Sequence, residues 1–207
     1  MLKVNYQLLL DKELDKIKQL DYVPKLLLHA CCAPCSSYVL EYLSNYFKIS
    51  ILYYNPNITE KEEYDKRLDE LKRFIKEIKY ANPVDIVDCE YNPNDYFETI
   101  KGLESDKEGG QRCYRCYEMR MRKTAEVASN NDYDYFTTTL SISPYKNSQW
   151  INEIGESLEQ EYNTKYLYAD FKKRNGYKRS IELSNIYKLY RQNYCGCIYS
   201  KRNVIEE

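Results

Sequence analysis

The sequence lacks several features that mark common classes of enzyme. It has six glycines among 207 residues and no glycine-rich phosphate-binding loop, which argues against nucleotide binding. No flavin or nicotinamide motif is visible. No uncharged apolar run approaches the length of a membrane span, and the N-terminus lacks a signal-peptide pattern. We therefore expect a cytoplasmic protein that does not act at a membrane.

Histidine is almost absent, since His29 is the only one, whereas cysteine is abundant. Eight cysteines in a reducing compartment indicate metal binding or redox chemistry rather than a disulfide framework.

The net charge is −1, but residues 112–207 carry 16 Lys and Arg against 12 Asp and Glu. This basic surplus is compatible with a nucleic-acid surface and also with solvated helix faces.

Short apolar segments alternate with amphipathic segments along the whole chain. Strands are predicted over 26–30, 49–54, 84–89, 134–139 and 166–169. Helices are predicted over 37–46, 59–79, 95–101, 112–130, 148–161 and 180–193, after an N-terminal helical extension in residues 1–22. This alternation predicts one α/β domain over 1–207, with a parallel sheet of about five strands, flanking helices and right-handed crossovers.

Seven of the eight cysteines fall in three groups that are far apart in sequence. The groups are Cys31, Cys32 and Cys35; Cys113 and Cys116; and Cys195 and Cys197. Each group lies at a predicted strand-to-helix turn or helix end, and such positions converge on one edge of a parallel sheet. Four thiolates hold a zinc ion or a 4Fe–4S cluster, which leaves three for a second metal or a redox-active thiol pair.

Each of these residues also has a structural interpretation. A closed zinc site would stabilise the fold without chemistry. Cys89 stands alone in a predicted strand and is expected to fill the core. His29, directly before the first cysteines, is a candidate proton donor or metal ligand, or a hydrogen-bonded structural histidine.

Several separated motifs resemble those of the cobalamin-independent epoxyqueuosine reductases, the QueH family, over about residues 26–200. They are Leu28-His-Ala-Cys-Cys-Ala-Pro-Cys35, Tyr54-Asn-Pro-Asn-Ile58, Glu108-Gly-Gly-Gln-Arg-Cys-Tyr-Arg-Cys116, Phe136-Thr-Thr-Thr-Leu140, Ser143-Pro-Tyr-Lys146, Ala169-Asp-Phe-Lys-Lys173 and Tyr190-Arg-Gln-Asn-Tyr-Cys-Gly-Cys197. The first 22 residues and the tail after Lys201 are not covered.

The resemblance implies a fold similar to the nucleotide-binding (HUP/PP-loop-like) α/β superfamily, with cysteines in place of a phosphate-binding loop. It implies the last step of queuosine synthesis at the wobble position of the tRNA anticodon. There the epoxide oxygen of epoxyqueuosine is removed by a two-electron reduction, which leaves an alkene and water. A 4Fe–4S cluster, a possible second mononuclear iron and no cobalamin are implied, together with an external electron donor.

Site assignments follow as hypotheses from this resemblance. Cys31, Cys32, Cys113 and Cys116 are expected to hold the cluster, and Cys35, Cys195 and Cys197 a second iron or a redox pair. Asp170 is the first candidate for a proton donor or extra metal ligand, with a helix-capping carboxylate as its alternative, and His29 is the second candidate. Tyr145, Lys146, Lys172, Lys173 and Arg191 are expected to hold the anticodon.

Two functions of other classes remain open from the sequence. The first is a zinc-stabilised RNA-binding protein without catalysis. The second is a thiol oxidoreductase that uses Cys195 with Cys197, or Cys113 with Cys116.

Overall fold

A five-stranded parallel sheet forms the centre of the computed structural model, which describes residues 4–201. The strands are β1 (Lys25–His29), β2 (Lys48–Leu52), β3 (Val84–Val87), β4 (Tyr135–Thr138) and β5 (Lys165–Tyr166). Their order is β3-β2-β1-β4-β5, with β1 at the centre. Every pair is parallel, and this is the strand order of doubly wound nucleotide-binding folds. The predicted fold class is confirmed.

Helices cover both faces of the sheet. They are α1 (Tyr6–Ile17), α2 (Ala33–Leu43), α3 (Lys61–Glu77), α4 (Asn94–Thr99), α5 (Gln111–Asn130), α6 (Ser148–Tyr162), α7 (Gly176–Ile186) and α8 (Ile198–Lys201). Leu26 and Leu28 of β1 point into one apolar core with α1, α2 and α3, whereas Leu27 points into a second core with α5 and α6. Because successive side chains of a strand face opposite sides, this short leucine run supplies both cores.

The helical extension predicted for residues 1–22 is α1, which packs Leu10, Leu14 and Ile17 into the first core. Residues 1–3 and 202–207 of the predicted domain lie outside the described residues. Among the described helices, none combines the length and the apolar character needed to cross a membrane.

Two predicted helices have different limits in the structure, and both differences affect cysteines. Helix α2 begins at Ala33 rather than at residue 37, because Pro34 stands in its first turn, where its fixed φ fits the helix. Cys35 therefore belongs to the helix. Helix α7 ends at Ile186 rather than at residue 193, and Lys188 then adopts a φ of 49°. The segment that carries Cys195 is consequently irregular.

The sheet has its topological switch point between β1 and β4. The crossover from β1 leads to β2 on one side, and β4 pairs with β1 on the other side. Ligands of open α/β sheets bind in the crevice that such a switch creates at the carboxyl ends of the strands. The chain continues from β1 directly into Cys31 and Cys32, so the first cysteine group lies at this crevice.

Candidate metal centre

The first cysteine group, Cys31, Cys32 and Cys35, is formed by the turn from β1 into α2. Cys32 is the N-cap of α2, with an extended backbone (φ −174°, ψ 164°), and Cys35 lies in the first helical turn. The three Sγ atoms all lie within 4.8 Å of one another, and those of Cys31 and Cys32 are 3.9 Å apart. Three thiols at this spacing can bind one metal ion.

Hydrogen bonds among these thiols favour one thiolate. Donation from Cys32 and Cys35 lowers the pKa of Cys31 well below its usual value. The same hydrogen bond to Cys31 raises the pKa of Cys32 to about 12, and the pKa of Cys35 is also raised. The hydrogen bonds therefore favour the thiolate form of Cys31 over those of its two neighbours, and binding a metal through all three thiolates would release protons.

The second cysteine group, Cys113, Cys116, Cys195 and Cys197, is formed by the start of α5 and the irregular C-terminal segment. Cys116 and Cys197 are buried in one small apolar cluster. Burial raises the pKa of Cys113 and raises that of Cys116 to about 12, and nearby Cys195 and Cys197 raise both further. Burial therefore disfavours the thiolate forms of Cys113 and Cys116 until a cation compensates their charge.

Two glycines shape the entry to α5. Gly109 has a φ of 82°, and its N–H donates a hydrogen bond of 3.3 Å to Sγ of Cys113. A Cβ on Gly110, the N-cap, would lie 2.3 Å from a carboxylate oxygen of Asp106. That carboxylate instead accepts the N–H of Arg112 at 3.0 Å, so the glycines let the loop close against the first turn that carries Cys113.

Helix α3 fixes the C-terminal segment. Nη1 of Arg67 donates a hydrogen bond of 3.2 Å to the carbonyl oxygen of Cys195, and its Nε pairs with Glu63 at 2.7 Å. The Glu63 carboxylate also accepts the hydroxyl of Tyr190. A buried arginine thus connects an ion pair on α3 to the backbone of a cysteine.

A cavity of about 510 Å³ lies between the first cysteine group and the C-terminal segment. Its walls include three cysteines, several basic side chains and one carboxylate. The thiol, charged and tyrosine side chains of this wall that are candidates for function are Cys31, Cys35, Cys195, Arg67, Glu108, Arg120, Tyr145, Lys146 and Arg191. The combination of thiols, cations and open space is suited to an anionic or strongly polar ligand next to a metal.

Three of the five predicted substrate contacts line this cavity: Tyr145, Lys146 and Arg191. Tyr145 is 86% exposed, so its ring is accessible to a large ligand. Lys172 and Lys173 are not in the cavity wall, and Lys172 pairs with Asp170 at 2.8 Å.

The two predicted proton donors also lie outside the cavity wall. Asp170 is buried, accepts from Lys172 and accepts the hydroxyl of Ser148 at 3.3 Å. His29 is fully buried between Thr138 Oγ1 (2.8 Å) and the carbonyl oxygen of Tyr54 (3.1 Å). Since that carbonyl only accepts, Nε2 carries the proton and Nδ1 accepts from Thr138. Burial lowers the pKa of His29 to about 3, so the ring is neutral.

Sequence reasoning missed Arg67 and Arg120, whose side chains are 2% and 1% exposed. Both resemble the solvated charges that helices ordinarily carry, and the sequence of α3 gives no sign that Arg67 is buried. For Arg120 a signal exists: it follows Cys113 by seven residues and Cys116 by four, a spacing that puts all three on one helix face. Glu108, the one carboxylate named in the cavity wall, was also missed.

The donor set fits the iron centre that the resemblance implies. All eight cysteines are free thiols, and thiolates are the ligands of iron–sulfur clusters and also of zinc. The 3.9 Å between the sulfurs of Cys31 and Cys32 is near the roughly 3.8 Å that tetrahedral metal–thiolate bonds of about 2.3 Å require.

The fold and the site together define a cysteine-rich protein with a nucleotide-binding-like α/β sheet and a cysteine group that could bind a metal. The family model described as epoxyqueuosine reductase QueH matches residues 26–203. The chain belongs to this family.

Curated relatives agree with this family over nearly the whole chain, and each is named epoxyqueuosine reductase QueH. The relative from Streptococcus pyogenes is 43% identical over 97% of this chain and 79% of its own length. The relative from Staphylococcus epidermidis is 43% identical over 96% of this chain and 85% of its own. The relative from Thermotoga maritima is 32% identical over 84% and 88%.

Proposed function

We propose that this chain reduces epoxyqueuosine in tRNA at the cavity between its cysteine groups, with electrons supplied through cysteine-bound iron. Its family makes the chain an oxidoreductase, an epoxyqueuosine reductase. The observation that carries the site proposal is that cysteines from distant parts of the sequence meet basic side chains around one cavity. A cytoplasmic location, where tRNA is available, belongs to the same proposal.

The reaction needs two electrons and two protons, since the epoxide oxygen leaves as water and the two ring carbons become an alkene. A bound iron–sulfur cluster supplies electrons one at a time from an external donor. The protein must supply binding, charge stabilisation and protons. Lys146 lines the cavity beside the thiols, and the charges of Cys195, Cys31 and Cys35 raise its pKa more than burial lowers it. It therefore stays cationic and can stabilise a negative oxygen as the C–O bond breaks.

The seven grouped cysteines provide enough ligands for a cluster and a second iron. We assign Cys113, Cys116, Cys195 and Cys197 to the 4Fe–4S cluster, because Cys116 and Cys197 are buried in one apolar cluster and their partners lie one helical turn and two residues away. We assign Cys31, Cys32 and Cys35 to a mononuclear iron, because their sulfurs are as close as ligands of one ion. This differs from the partition expected from the sequence, in which Cys31 and Cys32 join Cys113 and Cys116.

The anticodon is proposed to enter over Tyr145 and Arg191. Tyr145 offers an exposed ring on which a base can stack, and Arg191 offers a charge for a phosphate. Asp170 stays the proposed proton donor, but its proton would have to pass through other groups. The neutral His29, whose pKa is about 3, has no acidic proton to give, so we propose the hydrogen-bonded structural role for it. Glu108 lies in the cavity wall, so a proton from its carboxyl group would have a shorter path to the substrate.

The deciding experiment has two stages. Protein purified and reconstituted without oxygen should contain about five irons per chain, with sulfide and a visible band that bleaches on reduction. It should then convert epoxyqueuosine to queuosine in tRNA when given a strong one-electron reductant. One zinc, no colour and tRNA binding without turnover would support the zinc-stabilised RNA-binding alternative. Turnover by metal-free protein with a reversible disulfide would support the thiol oxidoreductase.

A further inference from the structure

Three of the four basic side chains in the cavity wall have no carboxylate partner among the described residues, and one of them, Arg191, instead donates to the hydroxyl oxygen of Ser184 at 3.0 Å. Arg120 and Lys146 form no salt bridge within residues 4–201, whereas the other buried arginine of the cavity, Arg67, pairs with Glu63 at 2.7 Å. A buried cation without a nearby anion is unfavourable in a folded protein. The buried Arg120 therefore requires a negative charge from another source, and the half-buried Lys146 lines the same cavity.

The arginine is held rigidly in this position. Its Nε donates to the carbonyl oxygen of Cys116 at 3.1 Å, and its Nη1 donates to Oδ1 of Asn55 at 3.5 Å. Asn55 in turn donates to the carbonyl oxygen of Ala30, directly before Cys31. The guanidinium thus connects the backbone of one cysteine group to that of the other. Its Nη2 is buried and has no hydrogen-bond partner among the described residues.

Cysteines of both groups lie next to these cations. Arg120 donates to the carbonyl oxygen of Cys116 at 3.1 Å. Arg120 and Lys146 both line the cavity wall, which also includes Cys31, Cys35 and Cys195. Cys31 and Cys195 share this wall with both cations, which places the two positive charges between the two proposed iron sites.

We propose that Arg120, assisted by Lys146, is a positioning residue that serves as the fixed counter-charge of the cysteine-bound metal centre. It neutralises thiolates that would otherwise repel one another, and it favours the state of the centre that carries the extra electron. The inference deepens the proposed function, since it concerns the iron sites assigned there. Neighbouring groups of this kind tune metal affinity and reduction potential.

The test compares Arg120→Gln, which removes the charge, with Arg120→Lys, which keeps it. Arg122→Gln is the matched control, because Arg122 lies on the same helix but on the surface, where it pairs with Glu118 and Glu161. The readouts are the midpoint potential of the iron-loaded protein and the affinity of the metal-free protein for Co²⁺ or Zn²⁺ against a chelator.

We expect Arg120→Gln to shift the midpoint to a more negative potential and to weaken metal binding by about 10- to 100-fold. Arg120→Lys should keep the wild-type potential, and Arg122→Gln should match the wild type in both readouts. Wild-type potential and metal affinity in Arg120→Gln would overturn the proposal. So would a variant that only raises KM for tRNA, because Arg120 would then serve a substrate phosphate.

Arg120 is buried, so circular dichroism and a thermal melt of the metal-free variant come first. If Arg120→Gln does not fold, Lys146→Gln decides, because this half-buried loop residue makes no salt bridge in the described chain. It should show the same negative shift, and an unchanged potential would overturn the proposal. If wild-type protein takes up no iron, the proposed function fails, whereas Co²⁺ and Zn²⁺ titrations still test the counter-charge.

Discussion

Gly196 lies directly against Arg67: a Cβ on the glycine would be 3.1 Å from Nη1 of the arginine and 2.8 Å from Cγ1 of Ile58. The same Nη1 donates to the carbonyl oxygen of Cys195. Gly196 also has a φ of 112°, which disfavours any residue with a Cβ. The glycine between two cysteines therefore permits the contact that holds their segment on α3.

Gly196→Ala should lose iron as well as stability. The strained φ costs about 1 kcal/mol or more of unfolding free energy, and the clash displaces the backbone between Cys195 and Cys197. Gly102→Ala is the control, since Gly102 has a φ of 81° but an added Cβ there meets no atom within 4 Å. Urea unfolding should show a loss in both variants, and iron analysis a loss only in Gly196→Ala. Full iron content in Gly196→Ala would contradict this account of the segment.

Glu63→Gln should destabilise the protein by about 3–5 kcal/mol, because it leaves the buried charge of Arg67 without its partner. Glu62→Gln, on the exposed face of the same helix, should change stability by less than about 0.5 kcal/mol. The measurement is urea unfolding of both metal-free variants at pH 7. Equal stability of the two variants would show that Arg67 finds another anion.

Glu70 predicts a pH dependence of stability. A hydrogen bond from Arg73, with a contribution from the N–H of Tyr190, lowers the pKa of this carboxyl below its usual 4.5. The folded state therefore binds fewer protons than the unfolded state in this range. The stabilisation is present above about pH 4.5 and is lost as the pH falls through the lowered value.

Unfolding free energies measured between pH 7 and about pH 2 test this. Glu70→Gln should be about 1–2 kcal/mol less stable than wild type at pH 7, and this difference should shrink as the pH falls. Glu77→Gln also removes a partner of Arg73 but leaves the N–H of Tyr190 bound to Glu70, so it should cost less. A difference that stays constant with pH would refute the assignment to Glu70.

Cysteine variants should separate the two iron sites. Cys113→Ala should abolish the visible band of the cluster and turnover, because it removes one of four ligands. Cys31→Ala distinguishes the two partitions: the band should survive if Cys31 binds the mononuclear iron and disappear if Cys31 binds the cluster. Cys89→Ala is the control, since Cys89 packs beside the second core, and iron content and turnover should stay at the wild-type level.

The fold could be predicted because its signals are local. The apolar run before Cys31 and the aromatic, β-branched segment that becomes β4 both read correctly as buried strands. The end of α7 could not be predicted, because side chains distant in sequence determine it. Arg73 donates a hydrogen bond to the carbonyl oxygen of Tyr187, and Glu70 accepts one from the N–H of Tyr190. These two contacts with α3 hold the chain after α7 in a non-helical conformation.

The site was predictable for the cysteines and much less so for the charges around them. Clustered cysteines are rare enough in sequence to stand out, whereas an arginine on a helix is ordinary. The spacing of Arg120 from Cys113 and Cys116 indicates a shared helix face, but whether that face meets solvent or a cavity depends on how α5 packs against β1, which no local pattern reports. Lys172 and Lys173 lie outside the cavity wall, and their contact with the anticodon stays a prediction.

The C-terminal cysteine segment has a consequence for biosynthesis. Cys195 and Cys197 are translated after all five strands of the sheet, and side chains of α3 hold them in place. While the ribosome is still synthesising α7, the sheet can already fold. The part of the cavity wall that carries Cys195 has not yet been synthesised at that stage. Iron and sulfide delivered during synthesis would therefore find only some of the proposed cysteine ligands present. The ligand set proposed for the cluster is accordingly complete only after Cys195 and Cys197 have been synthesised and their segment has packed against α3.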